Sequence, residues 1–258
     1  MLTMREVAER QRGFVAERVR AARSFADGLP KSGLAAILLS GSVARGDYFP
    51  GKLGGNIDVT VFSRRGSGLG AEELFGPDED PDIPYHCVSR GGEGFQIAFG
   101  ELFDGQAFLA RDEAAKFALG ESRLLWEDAG AFTAAMAALS PALAAERASL
   151  RAARLGEIRY LLSEYKQDRW IRREAALQLH ANLDAAIEAA IPCLFYANDS
   201  YAPAKDRRLY YACELPRLPP DFERLLAGLL ERRPDSLADY RRREELISRR
   251  LLAFVTEA

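Results

Sequence analysis

Cysteine is scarce in this chain of 258 residues, which has only three, Cys87, Cys193 and Cys213. They are odd in number, far apart and without ligand-like spacing. That pattern argues against a disulfide framework or a zinc site and for a reducing compartment. The chain also lacks an excess of either charge, with 35 basic residues against 38 acidic ones and a formal net charge of −3. Such a balance excludes the broad basic surface of a dedicated nucleic-acid binder, while leaving room for a locally positive cleft. No stretch approaches the ~20 apolar residues of a membrane span. The opening MLTMREVAERQR is too polar for a signal peptide, so a cytoplasmic location and no membrane partner are expected. Repeats and low-complexity segments are missing as well. What remains is an ordinary globular composition, 48% hydrophobic and 28% charged, in a chain long enough for one large domain or two modest ones.

Periodicity divides the chain in two. Residues 2–27 read as an amphipathic helix with Val7, Phe14, Val15, Val19, Ala22 and Phe25 on one face. The apolar run Leu34 to Ser40 reads as a buried strand. It is followed by the glycine-rich GSVARGDYFPGKLGGN and a second strand, Ile57 to Phe62. Ile83–Val88 and Phe95–Phe99 read as strands joined by a turn over residues 91–94. A helix over 105–119 and a short edge strand, Arg123 to Trp126, complete residues 1–130 as one domain. Residues 131–258 show no strand pattern, and Ala, Leu, Arg and Glu dominate. Ser140-Pro141 has the form of a helix N-cap with proline in the first turn. A long helix to about Arg169 is expected from there. A second helix from about Ile171 should bend or stop at Pro192, and two more, over 221–232 and 236–255, complete a bundle. The expected fold class is α+β: a small mixed sheet followed by an all-helical bundle.

Nucleotidyl transfer requires close backbone approach to a triphosphate, charge neutralisation on the phosphates and a hydroxyl held in line. A Gly-Ser pair leaving a buried strand suits the first requirement, because glycine admits a phosphate and the loop amides and hydroxyl can donate to it. The strand ending at Ser40, then Gly41-Ser42, Ala44-Arg45-Gly46 and Asn56-Ile57-Asp58-Val59, resembles the signature of the DNA polymerase beta-type nucleotidyltransferases. In that family a Gly-Ser is followed about a dozen residues later by Asp-hydrophobic-Asp. Phe95 to Phe99 is similar to the strand that carries the third carboxylate in kanamycin- and lincosamide-type small-molecule nucleotidyltransferases, and Leu124 to Asp128 resembles their edge strand. The resemblance implies a nucleotidyltransferase domain with a helical acceptor-binding domain. It also implies ATP or another NTP as substrate, a small hydroxylated acceptor, and Mg²⁺ held by Asp58. Gly41, Ser42, Arg45, Asn56, Gln96 and Lys205 fall at its nucleotide-binding positions.

The departures from the family pattern carry equal weight. Residues 56, 58 and 60 share a strand face, which here offers Asn56, Asp58 and Thr60, and the third acidic position falls on Gln96. Two metal carboxylates are thus amides. One unit-charge pair at 4 Å is worth roughly 4 kcal/mol at an effective dielectric near 20, so a weakly held Mg²⁺ is expected. A catalytically weakened, nucleotide- or partner-binding relative is the alternative reading. Asp47 and Glu101 are substitute ligands, and Glu174, Asp184 and Glu188 are possible bases. Tyr196, Tyr201, Tyr210 and Tyr211 suit either acceptor stacking or packing. Arg173 and His180, seven residues apart, resemble an Arg-x6-His motif of ribonuclease-associated helical domains, although a solvated helix face is the simpler account of them.

Overall fold

The computed structural model describes residues 4–48 and 55–257. The later part of the glycine-rich stretch, residues 49–54, lies outside the described residues, as do residues 2 and 3 of the expected first helix and the side chain of Val7. The chain divides into two compact units, Met1–Pro141 and Ala142–Ala258. Its class is α+β, with one mixed five-stranded sheet and many helices. No helix among the described residues is long and apolar enough to cross a membrane.

The first unit runs α1 (Met4–Gly28), β1 (Leu34–Leu39), α2 (Gly41–Arg45), β2 (Ile57–Ser63), α3 (Ala71–Phe75), β3 (His86–Arg90), β4 (Glu93–Glu101), α4 (Gly105–Leu109), α5 (Glu113–Gly120) and β5 (Arg123–Glu127), then enters α6 (Ala131–Leu161). The strand order is β3-β4-β2-β1-β5. β2 and β4 are parallel, and the other neighbours are antiparallel. Every residue of β1 is buried, which is why its sequence is continuously apolar instead of alternating. In β2, Ile57, Val59 and Val61 are buried while Asp58 and Thr60 are half-buried. The odd-numbered face joins Ala22, Phe25 and Ala26 of α1 in the main core, where the Phe25 and Phe95 rings stack at 4.4 Å. The even-numbered face turns aromatic at its far end, where Phe62 meets Phe103 edge-on at 5.3 Å and stacks with Phe132 at 6.0 Å.

Several local expectations are corrected. Phe14 is 48% exposed, while Gln11 is buried. The inward stripe of α1 runs through Gln11, Val15, Ala22 and Phe25, leaving Phe14 at its margin. Gln11 is tolerated inside because its amide nitrogen donates to Tyr48 O at 2.7 Å and Asp47 O at 3.1 Å. The hairpin begins at His86, not Ile83. The preceding loop folds back onto β3, with Cys87 N donating to Asp78 Oδ1 at 2.9 Å and Glu79 N donating to Cys87 O at 2.9 Å. The turn is the two-residue Gly91-Gly92 with Arg90 opposite Glu93; both glycines have positive φ, +60° and +83°, as a twisted two-residue hairpin demands. The helix expected over 105–119 is two helices, because Asp112 caps a fresh start by accepting from Ala115 N at 2.8 Å.

The second unit holds the rest of α6, then α7 (Glu164–Ile171), α8 (Ala176–Ala197), α9 (Arg208–Ala212), α10 (Phe222–Leu230), α11 (Leu237–Leu246), a π-helical turn (Ile247–Leu252) and α12 (Ala253–Glu257). Neither proline bounds a helix. Pro141 does not start a helix but lies within α6, and α8 continues through Pro192 to Ala197. A proline removes a single intrahelical donor, and around Pro192 the segment from Ala189 to Ala197 is wholly buried, so packing outweighs that loss. The interruptions come instead at Leu162-Ser163, which ends the helix expected to reach Arg169, and at Glu174, which adopts a left-handed φ of +52° between α7 and α8.

Pro141 is exposed, so its ring supplies little packing to offset the missing hydrogen bond. Pro141→Ala is therefore expected to raise the stability of the chain, by up to about 3 kcal/mol, measured as an increase in the thermal midpoint. An unchanged or lowered midpoint would mean that α6 does not run continuously through residue 141.

Candidate functional site

β1 ends, turns at Gly41 and leads into the short helix α2, while β2 runs back beside it. Ser40 N donates to Asp58 O at 2.8 Å, which fixes the turn against the start of β2. Gly41 has φ +65°, and a Cβ built there would lie 1.8 Å from Asp58 Oδ2. The Asp58 carboxylate thus rests directly against the bare Cα of Gly41. Any side chain at 41 would occupy the same space, so glycine is required by both conformation and close approach.

Across the parallel pairing, Asp58 stands opposite Gln96, and Cys87 pairs with Gln96 from the other side. Gln96 is half-buried between the buried Phe95 and Ile97, so it shares the face of Asp58. Asn56 leans toward the same strand: its Oδ1 lies 2.5 Å from where a Cβ on Gly94 would be. Asn56, Asp58 and Gln96 therefore form one row on one face, next to Gly41. Ser42, half-exposed in the first turn of α2, follows Gly41 directly.

A chain of hydroxyls extends this face. Ser122 Oγ donates to Ala118 O at 2.8 Å, which uses its one proton. Ser40 Oγ, 3.0 Å away, must then donate to Ser122, and Thr60 Oγ1, 2.8 Å from Ser40, must donate to Ser40. The direction leaves the lone pairs of Thr60 open on the face of Asp58. Ser40 and Thr60 had a visible signal, being polar residues inside or at the end of apolar strands. Ser122 had none, since only the pairing of β1 with β5 brings it close.

Other residues singled out from the sequence have partners of their own. Arg45 Nε is 3.5 Å from Asp47 Oδ1, and the two side chains are only 9% and 8% exposed. Arg45 lines a cavity of about 470 Å³ with Arg12, Val15, Val19 and Arg123, on the α1 side of the sheet. Asp47 is thus the ion-pair partner of Arg45. Crowding by the protein pushes the nearby Glu121 carboxyl up, with Arg45 opposing the rise and Asp47 adding to it. Glu101 pairs opposite Ser63 at the other end of β4. Five residues of strand put it roughly 16 Å from Gln96, and it accepts instead from Gly66 N at 2.9 Å.

In the second unit, Lys205 Nζ is 2.6 Å from Glu188 Oε1, and Asp184 is held by Arg232 and Arg243. Glu174 occupies the turn before α8. Tyr196, Tyr201 and Tyr211 are buried, and Tyr210 is 40% exposed; burial and the neighbouring Glu146 push the Tyr201 hydroxyl far up. Arg173 and His180 do not share a helix, because α7 ends at Ile171 and α8 begins at Ala176. Nor is His180 solvated, being 1% exposed.

Among the described residues no group of three or more His, Cys, Asp or Glu is disposed to hold a metal ion. Around Asp58 the donors are one carboxylate, two amide oxygens and a hydroxyl. That set fits a resident Mg²⁺ poorly, because Mg²⁺ sheds water reluctantly and relies on carboxylates to compensate. No protein-family model matches the chain, and no curated protein matches it.

Gly41→Ala is expected to destabilise the fold by about 1–3 kcal/mol from backbone conformation alone, with the clash adding to that. Asp58→Ala should relieve part of the loss. The double variant is expected to recover about 1 kcal/mol or more relative to additivity in a denaturation cycle. Strict additivity would show that the two residues do not touch.

Proposed function

We propose that the first unit is a nucleotidyltransferase-type domain that binds ATP or another NTP at the Gly41-Ser42 turn. The helical unit, on this reading, is the bundle that serves a small hydroxylated acceptor. One observation carries the proposal. A strand-ending Gly-Ser turn lies in contact with a carboxylate on the adjoining strand, and the next strand presents its polar residue in register with that carboxylate. Glycine lets a phosphate approach the backbone, Ser42 supplies a hydroxyl donor, and the amide nitrogens of Asn56 and Gln96 can donate to phosphate oxygens.

Between transfer and binding without turnover, the register favours the second. Asp58 opposite Gln96, with Asn56 two residues before, leaves a single carboxylate where transfer chemistry calls for several around its metal. Three carboxylates beside a triphosphate repel it unless metal intervenes, whereas one carboxylate and two amides repel it far less. The site is thus suited to a triphosphate held with little dependence on Mg²⁺, and any transfer of a nucleoside monophosphate should be slow.

Calorimetric titration of the full chain with ATP, in chelator and in millimolar Mg²⁺, tests both parts. Binding is expected in each, with similar affinity. Ser42→Ala alone should weaken it by about 0.5–1.5 kcal/mol, the worth of one hydrogen bond. No ATP binding by the parent would overturn the reading. The paired change Asn56→Asp and Gln96→Glu should lower the melting temperature in chelator and raise it in Mn²⁺, because a ligand that binds only the folded state stabilises it. A parent that Mg²⁺ already stabilises strongly, and that transfers label from ATP to an acceptor, would refute the weakened-enzyme part.

A further inference from the structure

The second unit contains a pocket of about 310 Å³, near the lower end of the size range of small-molecule sites. Its inner wall is apolar, formed by Ile187 and Ile191 of α8, at 4% and 1% exposure. Leu209 and Leu230 stand at its edge with 40% and 49% of their surface exposed. Two large aliphatic side chains left open beside a concave apolar wall have the form of a mouth.

The polar part of the lining is unbalanced. Arg243 is 1% exposed, and all three of its nitrogens are engaged: Nε donates to Leu229 O at 2.7 Å, one terminal nitrogen to His180 Nδ1 at 2.8 Å, and the other to Asp184 Oδ1 at 2.5 Å. A guanidinium can only donate, so Nδ1 of His180 is the bare nitrogen. Its Nε2 carries the proton and gives it to Ser236 O at 3.1 Å. His180 is thus a neutral member of the network. Asp184 is the one carboxylate on Arg243, and it is shared with Arg232. Lys205 is matched by Glu188 at 2.6 Å. Arg208, whose Nε donates to Pro203 O at 3.3 Å, also lines the pocket. Four cationic side chains therefore face two carboxylates beside an apolar wall.

We propose that this pocket binds a small amphiphilic anion, a single carboxylate head on an aliphatic body. The head would lie between Arg208 and Arg232, with the buried charge of Arg243 behind them, and the body against Ile187, Ile191, Leu209 and Leu230. The charge excess repels a cationic head and a divalent metal. With no aromatic side chain in the lining, a nucleobase would find nothing to stack on. The lining of this pocket shares no residue with the Gly41-Ser42 turn, and its test reads independently of nucleotide binding.

Calorimetric titration of the full chain with sodium octanoate, octylamine and 1-octanol tests the proposal. Saturable octanoate binding is expected, with octanol weaker by about tenfold, the loss of one charge-assisted contact, and octylamine not binding. Leu230→Glu places a like charge at the mouth and should weaken octanoate at least about tenfold without lowering the melting temperature, since residue 230 is half-exposed. Arg208→Ala should weaken octanoate and leave octanol unchanged. If Leu230→Glu fails to fold, Leu209→Gln gives the same reading from the other side of the mouth. Absence of octanoate binding, equal binding of octylamine, or indifference to the mouth variants would overturn the proposal. So would a concentration-dependent dimer of the parent that Leu230→Glu dissolves, because a second copy would then be the occupant.

Discussion

Strand β2 sets the terms for the first unit. It is paired on both edges, parallel to β4 and antiparallel to β1, and its alternation sorts residues between two unlike environments. Ile57, Val59 and Val61 enter the core beneath α1, while Asp58 and Thr60 remain on the half-open face. A slip of one residue against either neighbour would bury the carboxylate and expose three branched side chains. Burying an unpaired carboxylate costs several kcal/mol, so this register is strongly specified. The same phase brings Asp58 to Gly41 on one side and to Gln96 on the other. Packing and the candidate site thus draw on one constraint.

Much of the first unit was legible because its signals are local. The continuous apolar run of β1, the alternation of β2 and the stripe on α1 each follow from burial on known faces. In the row of Asn56, Asp58 and Gln96, the first two followed from strand alternation, and Gln96 from the resemblance to the family pattern. What escaped depends on partners distant in sequence. That Asp47 is the partner of Arg45 shows only in the fold. His180 looks like a surface histidine until Arg243 and Ser236, more than fifty positions away, close around it. Pro192 does not end α8 because buried surroundings hold the helix there, which is a tertiary quantity, whereas the exposed Pro141 has no such support and was misread as a helix start. Asp112 carried usable local chemistry, a helix cap, that the broader periodicity concealed, while the turn read over residues 91–94 narrows to Gly91-Gly92.

The second unit is organised around charge in its interior. Arg243 is among the largest fully buried side chains described, and burying a guanidinium is tolerable only with its donors satisfied. A backbone carbonyl, an imidazole nitrogen and a carboxylate supply those acceptors from α10 and α8. Burial pushes the neighbouring Tyr240 hydroxyl up to about 12, and Glu244 adds to that, so the tyrosine stays protonated at physiological pH. The imidazole is fixed as one tautomer, an acceptor toward the arginine and a donor toward Ser236. These groups tie α8, α10 and α11 together directionally, as aliphatic contacts alone would not.

The contact between Gly41 and the Asp58 carboxylate also bears on how natural variation in this protein should be interpreted. Selection for a folded chain alone would hold position 41 at glycine, because every other residue meets Oδ2 and requires a left-handed backbone. A lineage that had lost all use for nucleotides would keep Gly41 for as long as it kept Asp58. Persistence of that glycine is therefore weak testimony about activity. Position 42, where Ser42 is half-exposed and meets no such obstacle, is free to drift once its hydroxyl is no longer needed, and it is the better record of whether the site is still in use.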